Sequence, residues 1–240
     1  MPKVTLLEKV YRPFSPEVFE PFFQSLCEGL EVRLRVVGKT DRGWIEVDIS
    51  GEDEAVAVRL LDQKVGLAPV LISSVKKFSL LRGKIVSSET SEDGLRVDVG
   101  VFSPQLVDAT VPLRTLQAQV ADGKGFSLEQ LVDLFCFYVN LPLEVRVVSA
   151  VGSESDSVEA ELSEAQLSQI NGWIHSYLDR LVILGASFSD VGDAVKRARH
   201  VRDVIKIGSL GLLEHTVFCK LGTEAKGLMP KLGPMLPHAV

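Results

Sequence analysis

Apolar positions along the chain recur with a period of two in some stretches and 3.6 in others, and the switches between the two outline three successive segments. In the first, residues 4–11 read as a short strand. Ser15 then opens a helix, with Glu17 in its first turn and Val18, Phe22, Phe23, Leu26 and Leu30 at helical spacing up to a stop near Gly29. Residues 32–36 alternate apolar and polar, and Ile45, Val47 and Ile49 repeat that pattern after a turn at Asp41-Arg42-Gly43, which predicts two half-buried strands. Ser50 and Asp53 supply a cap and a first-turn acid for a helix running through Lys64. Residues 1–69 are therefore expected to form a small α+β domain of order β-α-β-β-α.

The second segment, 70–163, carries five strand-like runs. They are Arg82-Gly83-Lys84-Ile85-Val86, Gly94-Leu95-Arg96-Val97-Asp98-Val99-Gly100, residues 109–116, 143–148 and 158–163. Between the third and fourth, Ser127 and Gln130 make a capping box for a helix whose apolar face is Leu128, Leu131, Val132 and Phe135. This succession resembles the S-one-type RNA-binding OB repeat. The resemblance implies a five-stranded barrel with a helix before its fourth strand, binding single strands by stacking bases on aromatic side chains above a basic groove. The usual exposed aromatic of that pattern falls at Arg96 and the usual histidine at Pro112. Phe102 is the nearby aromatic that would substitute, and the guanidinium of Arg96 would itself stack on a base. Lys76, Lys77, Arg82, Lys84 and Arg114 place positive charge around the barrel entrance, against Glu89, Glu92, Asp93, Asp98 and Asp108. A barrel used as a scaffold or protein-binding module fits the same residues.

The third segment, 164–240, begins with a second capping box, Ser163 and Gln166. Leu167, Ile170, Ile174, Tyr177, Leu178 and Leu181 follow at helical spacing, predicting a helix of about twenty residues that Gly185 ends. Ser189-Asp190 opens another helix with Val191, Ala194, Val195 and Ala198 on one side and Lys196, Arg197, Arg199, His200 and Arg202 on the other. Strands over 203–207 and 212–221 are joined through Gly208-Ser209-Leu210-Gly211, and a short helix with a Pro/Gly-rich close completes the chain. Arg202-Asp203-Val204-Ile205, Gly211-Leu212-Leu213-Glu214-His215 and the run Cys219 to Ala225 resemble the C-terminal signature of a family of uncharacterised archaeal proteins. That resemblance covers nearly the whole sequence and implies an archaeal cytoplasmic protein, without bringing an activity. The expected fold is α+β: the N-terminal unit, a central OB-like barrel with a helical insertion, and C-terminal helices plus a β-hairpin.

Composition narrows the class. With 46% hydrophobic and 24% charged residues the chain is an ordinary globular protein, which excludes disorder, collagen and coiled coil. No apolar run approaches a membrane span, and MPKVTLLEK lacks the apolar core of a secretory signal. Cys27, Cys136 and Cys219 have no metal-ligand spacing and read as reduced thiols in a cytoplasm. The net charge of −6 hides an asymmetry: residues 191–240 hold eight Lys/Arg against four Asp/Glu, so the last fifty residues are +4 and the first 190 are −10. An acidic body with a basic end fits a protein that meets a polyanion through that end.

Candidate chemistry is sparse. No HExxH, CxxC, GxSxG or P-loop spacing occurs. Glu214 and His215, adjacent on a strand, point to opposite faces, and His215 and Cys219 share a face about 13 Å apart. No catalytic, metal or cofactor site is expected. Gly222-Thr223, opening a helix between Lys220 and Lys226, would suit a phosphate. Together with Arg197, Arg199, Arg202 and Lys196 it would make a basic surface for an RNA backbone. The leading expectation is a non-enzymatic RNA- or ribonucleoprotein-associated factor, linked to translation or RNA metabolism. It would use this surface assisted by Lys84, Arg96, Phe102 and Arg114 of the barrel. The alternatives are a protein–protein adaptor binding through the acidic first two-thirds, and an enzyme of unknown reaction.

Overall fold

The computed structural model of the chain describes residues 2–11, 14–87, 94–149, 158–236 and 238–239. They fall into two compact units, Met1–Val75 with Val99–Val107, and Lys76–Asp98 with Asp108–Val240.

In the first unit β1 (Lys3–Lys9) leads through a 3-10 turn at Pro16–Phe19 into α1 (Glu20–Leu26), followed by β2 (Val32–Lys39), β3 (Trp44–Gly51), α2 (Glu54–Lys64) and the two-residue β4 (Val70–Leu71). The expected β-α-β-β-α order is present, as an antiparallel sheet of order β1-β3-β2. Ile45, Val47 and Ile49, one face of the central strand, are fully buried, as are Phe23 of α1 and Ala57 and Leu61 of α2. Polar side chains of α1 occupy the edge of β2. Glu20 accepts from Val36 N–H at 2.8 Å, and Gln24 accepts from Leu34 N–H at 3.0 Å while donating to the Val32 carbonyl at 3.2 Å. These bonds block further strand addition there. Asp53 does not cap α2 with its side chain; its carboxylate accepts from Glu31 N–H at 2.9 Å instead.

The second unit contains the barrel: β5 (Leu80–Ser87), the first half of β6 (Gly94–Ser103), β7 (Val107–Pro112), β8 (Pro142–Ser149) and β9 (Val158–Leu162). Hydrogen bonding runs β6-β5-β8-β9-β7, and a β6–β7 pairing closes the ring. β7 and β9 are parallel and the other pairs in that run antiparallel, an OB-like closed barrel. The motif glycines sit where strands cross most closely. A Cβ on Gly83 would lie 2.3 Å from the Asp98 carbonyl oxygen, and one on Gly94 would lie 2.2 Å from that of Val111. Between β7 and β8 stand α3 (Leu113–Val120) and α4 (Leu128–Phe135). The Ser127–Gln130 capping box of α4 is present as expected. The strand expected over 109–116 ends at Pro112, and Leu113 onward is α3; proline donates no ladder hydrogen bond and suits a helix start.

The chain continues through α5 (Glu164–His175), β10 (Arg180–Leu184), α6 (Phe188–Arg197), β11 (Val204–Ser209), β12 (Glu214–Cys219) and α7 (Ala225–Leu232). The helix expected to reach Leu181 stops at 12 residues. Tyr177 turns left-handed (φ 51°), and the Arg180 guanidinium donates to the Trp173 carbonyl at 2.5 Å, satisfying a C-terminal carbonyl of α5. The apolar run 181–184, read as the end of that helix, is a strand paired with residues 214–217 of β12, and Gly185 ends this strand. Ser187, not Ser189, caps α6 in a box with Asp190. The resulting sheet has order β10-β12-β11 and is antiparallel throughout. Ile183, Val191, Ala194, Val195, Val217, Cys219, Leu228 and Leu232 form its core against α6 and α7. Among the described residues no helix is long and apolar enough to cross a membrane.

Candidate nucleic-acid interface

Strand alternation gives the C-terminal sheet two chemically different faces. Val217 and Cys219 of the central strand β12 point into the core beneath α6 and α7. Phe218 therefore stands on the opposite face. Its register partners are Arg180 on β10 and Lys206 on β11, so one row across the sheet reads Arg180–Phe218–Lys206. The Lys206 ammonium lies 4.7 Å from the Phe218 ring centre and the Arg180 guanidinium 5.3 Å from it. The same guanidinium lies 5.3 Å from the ring of Trp173, contributed by α5. Rings and cations thus alternate along four side chains. Burial pushes the Arg180 pKa down, and its buried Nε–H has no hydrogen-bond partner among the described residues.

At the other end of β12, about 13 Å away at ~3.3 Å per residue, Glu214 turns towards the barrel. Its carboxylate accepts from Lys84 of β5 at 2.8 Å, with the two side chains 0% and 2% exposed. Asp98, also fully buried, is the register partner of Lys84 across β5 and β6. Lys84 is thus a buried counter-ion and presents no charge at the barrel entrance, contrary to the expectation.

The basic segments meet at the Phe218 end of the sheet. Lys220 N–H donates to the Asp203 carbonyl at 2.7 Å, which brings the β12–α7 turn beside the α6–β11 connection bearing Arg199 and Arg202. Arg197, Arg199, Arg202 and Lys220 are exposed and form no ion pair among the described residues. Two of the acids there are engaged locally. The Asp203 carboxylate pairs with His200 Nδ1 at 2.6 Å, and that of Asp179 accepts from Ala225 N–H at 3.1 Å. Lys196 is taken by Asp193 at 3.1 Å, and Lys226 is exposed on α7. At Gly222-Thr223, where a phosphate site is expected to open the helix, α7 instead starts at Ala225. The residue capping α7 is Glu224, whose carboxylate repels an anion, and the first helical amide is already held by Asp179.

Of the barrel residues, Arg96 is bound to Asp108 at 2.6 Å and remains 44% exposed, while Arg114 is exposed on α3. Phe102 lies on the half of β6 that pairs with β4 in the first unit, so it is no part of the barrel wall. Glu89, Glu92 and Asp93 lie outside the described residues.

The candidate chemistry separates as strand geometry requires. His215 is buried edge-on to Phe188 at 5.6 Å, and neither ring nitrogen makes a hydrogen bond of normal geometry. Burial lowers its pKa; the neighbouring Glu214 charge and the Ala186 backbone oppose that shift without reversing it. Burial also pushes the Cys219 thiol up, away from the thiolate a nucleophile needs. Among the described residues no group of three or more His, Cys, Asp and Glu is disposed to hold a metal ion.

Trp173, Arg180, Lys206 and Phe218 were not among the expected site residues. The signal was present in Arg180-Leu-Val-Ile-Leu-Gly, a strand-length apolar run closed by glycine that periodicity alone merged with the preceding helix.

Fold and surface together define an α+β protein with an OB-like barrel and a C-terminal sheet that carries a basic and aromatic row at its Phe218 end. Family models match residues 3–68 as the DUF2110 N-terminal domain, 78–174 as the DUF2110 central domain and 178–240 as the DUF2110 C-terminal domain. The chain belongs to the DUF2110 family. No curated protein matches it.

Proposed function

We propose that the protein is a non-enzymatic RNA- or ribonucleoprotein-associated factor of the archaeal cytoplasm, acting in translation or RNA metabolism. It binds RNA backbone at the basic end of its C-terminal sheet. The observation that carries this reading is the Lys220–Asp203 backbone bond, which gathers Arg199, Arg202 and Lys220 from two connections into one surface while the intervening Asp203 carboxylate is held by His200. Surface cations without carboxylate partners are the groups that exchange counterions for phosphates. The S-one-type likeness of the central segment points the same way. The barrel's share is reduced to Arg114 and the exposed part of Arg96, since Lys84 is buried.

The test is fluorescence anisotropy of the full chain with single-stranded and structured RNA at low and moderate salt, beside Arg197→Glu/Arg199→Glu/Arg202→Glu. Binding that falls with salt and is lost in the triple variant supports the reading. Absence of binding by the wild type at low salt overturns it and directs attention to a protein partner for the acidic first 190 residues.

A further inference from the structure

We infer that the partly exposed Phe218 end of the C-terminal sheet carries a stacking site for an unpaired nucleobase, formed by Trp173, Arg180, Phe218 and Lys206. The inference rests on the RNA-binding reading and names its substrate class, single-stranded RNA. Proteins that hold single strands combine rings or guanidinium planes on which bases stack with cations that follow the phosphates. Here both kinds of group stand in one register row, with the ring on the central strand and a cation on each neighbour.

Three further observations support a base in this row. Beside the ring, β11 offers Gly208, where any Cβ would come within 3.1 Å of Phe218 and 2.9 Å of Thr216, so the ring is packed against the β11 backbone on that side and is held in place by it. Of the two cations, Lys206 is exposed and touches the ring without an ion pair among the described residues. An exposed ammonium over a ring is a weaker contact than a stacked base, so a base displaces Lys206 from Phe218 and frees it for a phosphate. Arg180 is fixed between the Trp173 and Phe218 rings by its bonds to the Trp173 carbonyl and Ser176 Oγ, so its guanidinium plane is held in place within the row. The row is also next to the end of β12 from which Lys220 leads to Arg199 and Arg202, so a strand whose base occupies the row has cations in reach of its flanking phosphates. A paired duplex turns its base faces inward and cannot use the rings.

The experiment compares affinities of the full-length protein for a single-stranded RNA oligonucleotide, a blunt RNA duplex and inorganic polyphosphate. Photo-crosslinking of a 4-thiouridine-substituted single strand is mapped by peptide mass spectrometry. The expected result is a preference for the single strand with crosslinks at Trp173 or Phe218. Phe218→Leu should lose roughly five- to hundredfold in single-strand affinity, the range for one stacked base, with duplex and polyphosphate binding unchanged. Phe218→Tyr, which keeps the ring, should retain it. Equal affinity for all three polyanions, or crosslinks confined to peptides around Arg199 and Lys220, overturns the stacking site while leaving the backbone-binding reading standing. Failure of the wild type to bind any of the three overturns both.

Discussion

Lys84 shows how a single residue's meaning depends on what covers it. Arg82 and Lys84 share one face of β5 by alternation, and both look like groove cations. The Arg82 side chain remains 58% exposed and reaches Glu144 at 3.4 Å, whereas Lys84 is enclosed with Glu214, 130 positions away, and opposite Asp98. Removing one partner of a buried ion pair leaves an uncompensated charge, at a cost of about 3–5 kcal/mol. Lys84→Met, which takes the ammonium away from the buried Glu214 carboxylate, is expected to show a loss of that size in urea unfolding. Glu214→Gln should cost less, because the amide oxygen still accepts from the Lys84 ammonium. Equal losses in the two variants would contradict this charge arrangement. At His215 the folded-state pKa lies below the ordinary value of about 6.5, so the unfolded chain takes up a proton that the folded chain resists. The resulting stability is present above about pH 6.5 and is lost as pH falls through the lower, folded pKa. Thermal melts at pH 8 and pH 5 should therefore converge in His215→Leu more than in the wild type.

At the scale of elements, the serine caps expected at Ser127 and Ser163 form, whereas Asp53 and Ser189 do not cap their helices and ends decided by tertiary contacts fall elsewhere. Ser127 and Ser163 both accept from the backbone amide three residues on, but the box expected at each is complete only at Ser127, because the Gln166 side chain accepts from Glu144 N–H at 3.0 Å instead. Ser163 also donates to Glu144 at 2.8 Å, tying the start of α5 to β8. Ser163→Ala should lower stability by more than the typical ~1 kcal/mol of a cap, and Ser127→Ala by about that amount, as compared in chemical denaturation. An inverse ranking would mean that the Glu144 bond contributes nothing. The end of α5 was illegible for a definite reason. Ile174, Tyr177, Leu178 and Leu181 continue the helical period, but Ile174 and Tyr177 are exposed and the period there is accidental. The strand that begins at Arg180 exists because β12 offers it an edge to pair with, and no local pattern reports that edge.

For the whole molecule, the first unit and the C-terminal segment follow one plan: strand, helix, two strands, helix, with the last strand central in an antiparallel sheet. A hairpin accepts the first strand on its free side, and the helices cover one face; on the other face of the C-terminal sheet β12 sets the buried Glu214 and Thr216 at one end and the partly exposed Phe218 at the other. Only in the C-terminal sheet does that face join the basic connections described above. Its polyanion affinity should fall with salt in proportion to the phosphates held. For three neutralised phosphates on a single strand the slope of log affinity against log salt is about −2. Titrations at several salt concentrations should return a slope near that value for the wild type and near zero for Arg197→Glu/Arg199→Glu/Arg202→Glu. A wild-type slope near zero would remove the electrostatic basis of the function proposed.

The sequence by itself determined the α+β class, the β-α-β-β-α order of the first unit, the barrel strands with their crossing glycines, and the basic excess of the last fifty residues. Each of these is written in local periodicity, turn chemistry or composition, which act over a few residues at a time. Tertiary structure alone decided that Lys84 is a buried counter-ion rather than a surface cation, and that Asp179 uses the amide a phosphate would need. It also decided that Trp173, Arg180, Phe218 and Lys206, from a helix and three strands, form one row of alternating rings and charges. These outcomes depend on register between strands and on which surface covers which, and both are settled only when segments far apart in the chain bury their apolar faces together.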